Sequence, residues 1–248
     1  PPAAPGPAFA LRKRAFGVIP LSRYIEDGMM TAAQAGLLVR AVRERQNILI
    51  AGGTSTGKTT LANALLAEIA ATGDRVLVLE DTVELQCAAR DHVPLRTRQG
   101  VVSMTELVRS SMRLRPDRVV VGEVRGAEAL DLIKVWGTGH PGGIATIHAG
   151  SALGALLRLE QLILEVAVNP PRALIAEAVN VVIHIAGRGR KRRIESIARV
   201  VGFDGVGYRL ADWEADALDT PFPELSPNPD AVPAAATSSS LDSLGELP

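Results

Sequence analysis

The sequence predicts an α/β fold in which a doubly wound, mostly parallel sheet is flanked by helices. Short apolar segments with strand character alternate with helical segments, and the clearest strands are 47–50, 75–80 and 118–123. This alternation is typical of parallel sheets, because each crossover between parallel strands needs room for a helix. Hydrophobic residues make up 47% of the 248 positions, which is enough for a large core.

Each element follows from its local pattern. Residues 21–45 predict helices, and Thr31 is a plausible N-cap before an alanine-rich run. The further helices and strands complete the alternation. Helices are expected at 60–69, 105–114, 127–135, 151–166 and 172–179, and strands at 144–148, 181–185 and 194–203. We expect three regions: a leading segment at 1–20 that is Pro/Ala-rich over residues 1–7, one folded domain at 21–219, and a disordered Pro/Ser/Ala-rich tail at 220–248.

Charge and cysteine content narrow the functional classes. Lys and Arg together number 27, and so do Asp and Glu, so net charge predicts neither nucleic-acid nor membrane binding. Cys87 is the single cysteine and cannot form an intrachain disulfide, which favours a reducing compartment. No apolar run approaches the roughly 18–20 residues of a membrane span, and no signal peptide is visible. The chain begins with Pro1, from which we expect that a preceding segment is missing.

A glycine-rich loop is the most informative motif. Residues 52–59 read Gly-Gly-Thr-Ser-Thr-Gly-Lys-Thr, between a predicted strand and a predicted helix. This is the setting of a P-loop, in which backbone N–H groups and the helix N-terminus hold phosphates. Lys58 would reach the β- and γ-phosphates, and the Thr59 hydroxyl would bind Mg²⁺. The predicted binding residues for ATP are Gly52, Gly53, Thr54, Ser55, Thr56, Gly57, Lys58, Thr59 and Thr60.

Carboxylates follow two of the predicted strands. Glu80 and Asp81 end one strand, with Glu84 close behind, and Glu123 ends another. Because such groups meet beside the P-loop in α/β sheets, one could activate water and another could hold the metal through its shell. We expect catalysis from Glu123 and Glu80, and Mg²⁺ contacts from Thr59, Glu123 and Asp81. An ordinary salt bridge to Arg125 is the alternative for Glu123.

Histidines and arginines give weaker signals. His140 and His148 flank a glycine-rich stretch, where an imidazole could contact a γ-phosphate or be structural. Arginines must neutralise phosphoryl charge, but spacing alone does not rank them. The candidates are Arg12, Arg14, Arg96, Arg98, Arg113 and Arg115. For the basic run 188–193 we favour a solvated hairpin tip over a DNA-binding surface.

Four signatures, in order, resemble the secretion ATPases of type II and type IV systems, including pilus motors. They are the P-loop, the acidic box Leu-Glu-Asp-Thr-Val-Glu-Leu at 79–85, the arginine-rich lead and strand at 112–126, and the histidine box at 138–149. Details of the P-loop and of the 112–126 segment look most like the conjugal-transfer branch, the TrbB-like ATPases. A zinc site built from four cysteines, as in some pilus motors, is excluded by the single cysteine.

The resemblance implies a RecA-like ATPase domain in a hexameric ring, on the cytoplasmic side of the inner membrane with other secretion components. The ring would power DNA or protein transfer or pilus assembly. It implies catalytic roles for Glu123, Glu80 and Lys58, and a γ-phosphate or interdomain contact for His148. Residues 1–20 would be the exit segment of a missing N-terminal domain. Arg12 and Arg14 there, and Arg113 and Arg115, become candidate arginine fingers.

Two other functions remain open at this level. One is an ATP-dependent assembly scaffold with little turnover. The other is a RecA-type DNA-handling helicase, which would use the basic run 188–193. Direct DNA binding is therefore undecided from the sequence.

Overall fold

The computed structural model describes residues 17–213. Arg12, Arg14, most of the predicted exit segment and the predicted tail from residue 220 lie outside the described residues. The helices are α1 Leu21–Glu26, α2 Ala32–Arg43, α3 Lys58–Ala70, α4 Met104–Ser111, α5 Glu128–Gly137, α6 Ala152–Ile163 and α7 Arg172–Ala178. The strands are β1 Ile48–Gly52, β2 Val76–Glu80, β3 His92–Arg96, β4 Arg118–Val124, β5 Ile144–His148, β6 Val181–Ala186, β7 Arg193–Phe203 and β8 Tyr208–Asp212.

The strands form one sheet in the order β3-β2-β4-β5-β1-β6-β7-β8. The pairs from β3 through to β6 are parallel, whereas β7 and β8 join by antiparallel pairing. The predicted mostly parallel α/β sheet is therefore confirmed. Strand β1 lies between β5 and β6, so the loop after it opens at the middle of the sheet.

The two faces of the sheet carry separate hydrophobic cores. Neighbouring residues of β1 point to opposite faces, as the strand period requires. Ile50 packs in one core with Leu37 and Leu65 of α2 and α3, while Leu49 packs in the other with Leu156 of α6. Because both faces are covered, every residue of β1 is buried. The P-loop thus follows a fully buried strand at the middle of the sheet.

Helix α2 begins as the sequence predicts. The Thr31 side chain accepts a hydrogen bond from the Gln34 N–H, and the Gln34 side chain accepts one from the Thr31 N–H. This reciprocal capping box satisfies two backbone donors that a helix start leaves free. The N-cap prediction for Thr31 is confirmed.

Two edge strands were not predicted. Strand β3 pairs with β2 at one edge and contains Pro94, a residue that usually argues against a strand. Strand β8 pairs with β7 at the other edge, and none of its residues is buried. Both lack the apolar run that identified the central strands. None of the helices within residues 17–213 is long and apolar enough to cross a membrane.

Candidate functional site: a phosphate-binding cavity at the carboxyl edge

A cavity of about 660 Å³ opens at the carboxyl ends of the central strands. The P-loop, the ends of β2, β4 and β5, helix α6 and the β6–β7 connection all contribute to its wall. Its lining includes Thr54, Ser55, Gly57, Lys58, Thr59, Thr60, Glu80, Asp81, Thr82, Glu84, Gly122, Glu123, Val124, Arg125, Thr146, His148, Arg158 and Arg192. Most of the residues predicted to bind or act on the nucleotide are therefore brought together.

The P-loop is shaped by two left-handed residues. Gly57 has φ 99° and is the N-cap of α3, while Ser55 has φ 64°, a conformation that costs a residue with a side chain. Gly52 must be small as well, since a Cβ there would lie 2.7 Å from the Ile185 carbonyl oxygen. The loop is thus bent around the start of the helix, whose first N–H groups have no acceptor within the helix and suit an anion.

Lys58 lies folded under this loop. Its Nζ donates to the carbonyl oxygens of Gly52 at 3.0 Å and Gly53 at 3.1 Å, and the residue is only 9% exposed. Burial lowers the pKa of the Lys58 ammonium; Glu123 and Glu84 oppose that fall, and the nearby Arg125 adds to it. The arrangement holds a cation beside the place where phosphates would bind.

The acidic loop after β2 is held against the P-loop helix. One oxygen of the buried Glu80 carboxylate accepts hydrogen bonds from the backbone N–H groups of Glu84 at 2.9 Å and of Leu85 at 2.7 Å. The Glu84 carboxylate in turn accepts a hydrogen bond from the Thr59 hydroxyl at 3.2 Å. The Glu84 backbone carbonyl accepts one from the side-chain amide of Asn63. Glu80 therefore shapes the loop that delivers a second carboxylate to the residue predicted to bind Mg²⁺.

Glu123 and Asp81 share one cation. Arg125 donates through Nε to Glu123 at 2.6 Å, and its Nη1 lies 3.6 Å from Asp81. The hydrogen bond to Glu123 raises the pKa of the Arg125 guanidinium. The salt bridge that was the alternative interpretation of Glu123 is present. Glu123 still lines the cavity despite this salt bridge. Because the Arg125 side chain is 65% exposed, water screens the attraction between the two charges and the pair is weak.

The structure separates the two candidate histidines. His148 ends β5 next to Gly52 and is an exposed part of the cavity wall. His140 lies before β5, towards the opposite end of that strand, and its Nδ1 is buried without a hydrogen-bond partner in the described chain. Of these two histidines, only His148 lines the cavity.

None of the candidate arginines within residues 17–213 lines this cavity. Arg113 and Arg115 are exposed in the turn before β4, at its amino end, and are not among the cavity-lining residues. A role for them across a subunit boundary remains a prediction. The arginines that line the cavity are Arg125, Arg158 and Arg192. Nothing in the sequence pattern marked Arg158 or Arg192 as phosphate-binding candidates. Only the fold shows that α6 and the β6–β7 connection reach the P-loop.

The oxygen donors in the cavity fit Mg²⁺. Thr59 and Glu84 are already within 3.2 Å of each other, and Asp81 and Glu123 lie on the same wall. Hydroxyl and carboxylate oxygens are the donors that this hard cation prefers, usually with water and phosphate oxygens completing its shell.

A mostly parallel sheet with a P-loop at its centre and carboxylates on the neighbouring strand ends is the arrangement of a RecA-like P-loop NTPase. The sequence matches the family described as "Type II/IV secretion system protein" over residues 2–193, and the chain belongs to that family. It is 49% identical over 215 residues to the conjugal transfer protein TrbB of Rhizobium radiobacter, covering 86% of this chain and 66% of the relative. The chain thus spans about two thirds of that relative's length.

Solved structures agree with the fold. The VirB11 ATPase of the Brucella suis type IV secretion system, in complex with sulphate, is 30% identical, with a TM-score of 0.60 over 76% of this chain and 67% of that one. The pilus retraction motor PilT, with bound ADP, is 19% identical, with a TM-score of 0.56 over 81% of this chain and 53% of that one. The second likeness shows the fold alone.

Proposed function

We propose that this chain is the ATP-hydrolysing domain of a motor for type IV secretion or conjugative transfer. The observation that carries the proposal is the cavity in which Lys58 and Thr59 face Glu84, Glu123 and His148 from neighbouring strand ends. A cation, a metal-binding hydroxyl and several carboxylates at one P-loop are what phosphoryl transfer to water requires. The family membership agrees with this activity.

The side chains divide the work of hydrolysis. The amides of the P-loop and Lys58 bind the β- and γ-phosphates and offset their charge. Thr59, with Asp81 and Glu123 through its water shell, would hold Mg²⁺, which supplies charge neutralisation at the phosphates when bound. Glu123 orients and deprotonates the attacking water, while Glu80 fixes the acidic loop beside it. His148 contacts the terminal phosphate from β5.

The decisive experiment measures phosphate release by the wild type and by Lys58→Ala. The loss of one electrostatic contact to the transferred group lowers turnover by at least about 100-fold. The exposed Lys191→Ala variant is the matched control, because this lysine is not part of the cavity wall. Unchanged turnover in Lys58→Ala would show that the P-loop is not the catalytic site.

We also propose that the working form is a hexameric ring on the cytoplasmic face of the inner membrane, docked on secretion components. Arg113 and Arg115 support this proposal, because they are exposed and lie away from the cavity of their own chain. Turnover per chain should rise with protein concentration, and sedimentation with ATP should show the assembly. Turnover that is independent of concentration would contradict the ring.

A second candidate is an ATP-dependent scaffold with little turnover, and the Glu123–Arg125 ion pair is the observation in its favour. If that pair persisted with nucleotide bound, Glu123 could not serve as the base. Sedimentation in parallel with phosphate release separates the two functions. Assembly on ATP without phosphate release would favour the scaffold.

A further inference from the structure

Arg192 differs from the rest of its basic run. Arg188, Arg190, Lys191 and Arg193 are exposed, as expected for a solvated hairpin tip. Arg192 is half-buried and lines the cavity next to the P-loop. The favoured interpretation of the run as a solvated tip therefore does not hold for this residue.

The contacts of Arg192 fall on the crest of the P-loop, defined here as residues 55–57. Its Nη2 donates to the Ser55 carbonyl oxygen at 3.3 Å. A Cβ on Gly57 would lie 3.0 Å from both Cδ and Nε of Arg192, so the guanidinium packs directly against the glycine backbone. Its Nε is buried and has no hydrogen-bond partner among residues 17–213.

The crest needs such support. Ser55 holds φ 64° and Gly57 holds φ 99°, and a non-glycine residue in the left-handed region persists only when its surroundings fix it. The carbonyl of Ser55 also has to point away from the bound anion, so that the N–H groups can point towards it. A cationic donor to that carbonyl, here Arg192 Nη2, holds it in one orientation.

The hairpin that presents Arg192 is itself tightly built. The Ile194 N–H donates to the Met29 carbonyl at 2.8 Å, which ties the start of β7 to the α1–α2 connection. Gly187 has φ 78° and leaves no room for a side chain against Lys191. The side chain of Arg192 is therefore delivered by a fixed backbone rather than by a mobile tip.

We propose that Arg192 is a positioning residue that holds the P-loop crest in its phosphate-binding conformation. It acts through the Ser55 carbonyl and the Gly57 backbone. This assignment rests on the proposed nucleotide-binding function. The assignment predicts that loss of Arg192 weakens the binding of any diphosphate, with or without a nucleoside.

The test compares Arg192→Ala and Arg192→Lys with the wild type in titrations with a fluorescent ADP analogue and in competition by pyrophosphate. Loss of a charge-assisted hydrogen bond should weaken both ligands by about tenfold in Arg192→Ala. Turnover at saturating ATP should stay within about twofold, since the reacting atoms are untouched. Arg192→Lys should recover part of the affinity because it keeps a cationic donor.

Arg190→Ala is the matched control, because Arg190 belongs to the same run but is exposed, and its affinities should match those of the wild type. Unchanged affinities in Arg192→Ala would overturn the assignment. So would weakened ADP binding with unchanged pyrophosphate binding, since that pattern means contact with the nucleoside. If the wild type binds neither ligand, the proposed function fails, and this assignment fails with it.

Discussion

An ion pair lies at the carboxyl ends of the sheet strands and another at their amino ends. The two pairs have the same nitrogen–oxygen distance but different roles. At the carboxyl edge Arg125 lies 2.6 Å from Glu123, and at the amino edge Arg118 lies 2.6 Å from Asp74. The side chains are 65% and 28% exposed in the first pair, but 1% and 15% exposed in the second. Burial, and not distance, decides which pair can be exchanged for a ligand and which fixes the fold.

Both members of the amino-edge pair have further polar contacts that hold them in place. Arg118 also donates to the Gly142 carbonyl at 3.2 Å, and Arg45 lies 3.6 Å from Asp74. Burial lowers the pKa of the Arg118 guanidinium, and the hydrogen bond to Asp74 opposes that fall. This cluster joins the segments that lead into β1, β2, β4 and β5, so it fixes how the strands enter the sheet.

The largest expected effect is the loss of turnover when Glu123, the acidic member of the carboxyl-edge pair, is replaced. Glu123→Gln should lower turnover by about 10³-fold, because it removes the proposed base while leaving an acceptor for Arg125. ADP affinity should stay within about threefold of the wild type, since the P-loop contacts remain. Phosphate release and ADP titration measure the two quantities on the same samples.

The control for that variant is Glu177→Gln, a change of the same chemistry at an exposed site on α7. It should leave both quantities unchanged. Loss of ADP binding in Glu123→Gln would instead mean that Glu123 is a structural residue and that the two edges of the sheet are alike.

Breaking the amino-edge pair should affect stability and leave nucleotide affinity intact. Arg118→Met should lower the free energy of unfolding by about 3 kcal/mol, because the half-buried charge of Asp74 is left without its main partner. Urea denaturation gives this value, and ADP titration checks the site. The double variant Arg118→Met with Asp74→Leu should recover most of the loss. No recovery would show that Arg118 acts through Gly142 rather than through the ion pair.

Acid should act on the amino edge through the same carboxylate. Burial tends to raise the pKa of Asp74, but hydrogen bonds from Arg118 and Thr72 and the charge of Arg45 outweigh it, so the folded-state pKa lies below the ordinary 3.8. The unfolded chain therefore binds the proton more readily. The stabilisation is complete above the unfolded pKa and disappears as pH falls through the folded one. Between about pH 5 and 3, Asp74→Asn should show a shallower loss of unfolding free energy than the wild type; equal slopes would exclude Asp74 as a contributor.

The sequence predicts the two edges unequally. The carboxyl edge was predictable because strand ends in parallel sheets converge, so Glu80 and Glu123 could be placed beside Lys58 from pattern alone. The amino edge gave no signal, since Arg118 and Asp74 look like ordinary surface charges until the fold buries Arg118 against Asp74. Arg192 was missed for a related reason: its run reads as solvated, and only the backbone path of the hairpin separates it from Arg190. Strands β3 and β8 were not predicted, because strands at the edge of a sheet need no apolar pattern.

The smallest effect should come from an exposed pair near the same amino edge. Arg40 and Glu44 at the end of α2 lie 2.7 Å apart, as close as the buried pair within 0.1 Å, but their side chains are 38% and 44% exposed. Water already solvates both groups, so Arg40→Ala should change the unfolding free energy by no more than about 0.5 kcal/mol. Urea denaturation beside Arg118→Met measures both losses under the same conditions. A loss in Arg40→Ala as large as in Arg118→Met would mean that proximity alone stabilises these pairs, and the distinction between the two edges would then have to come from something other than burial.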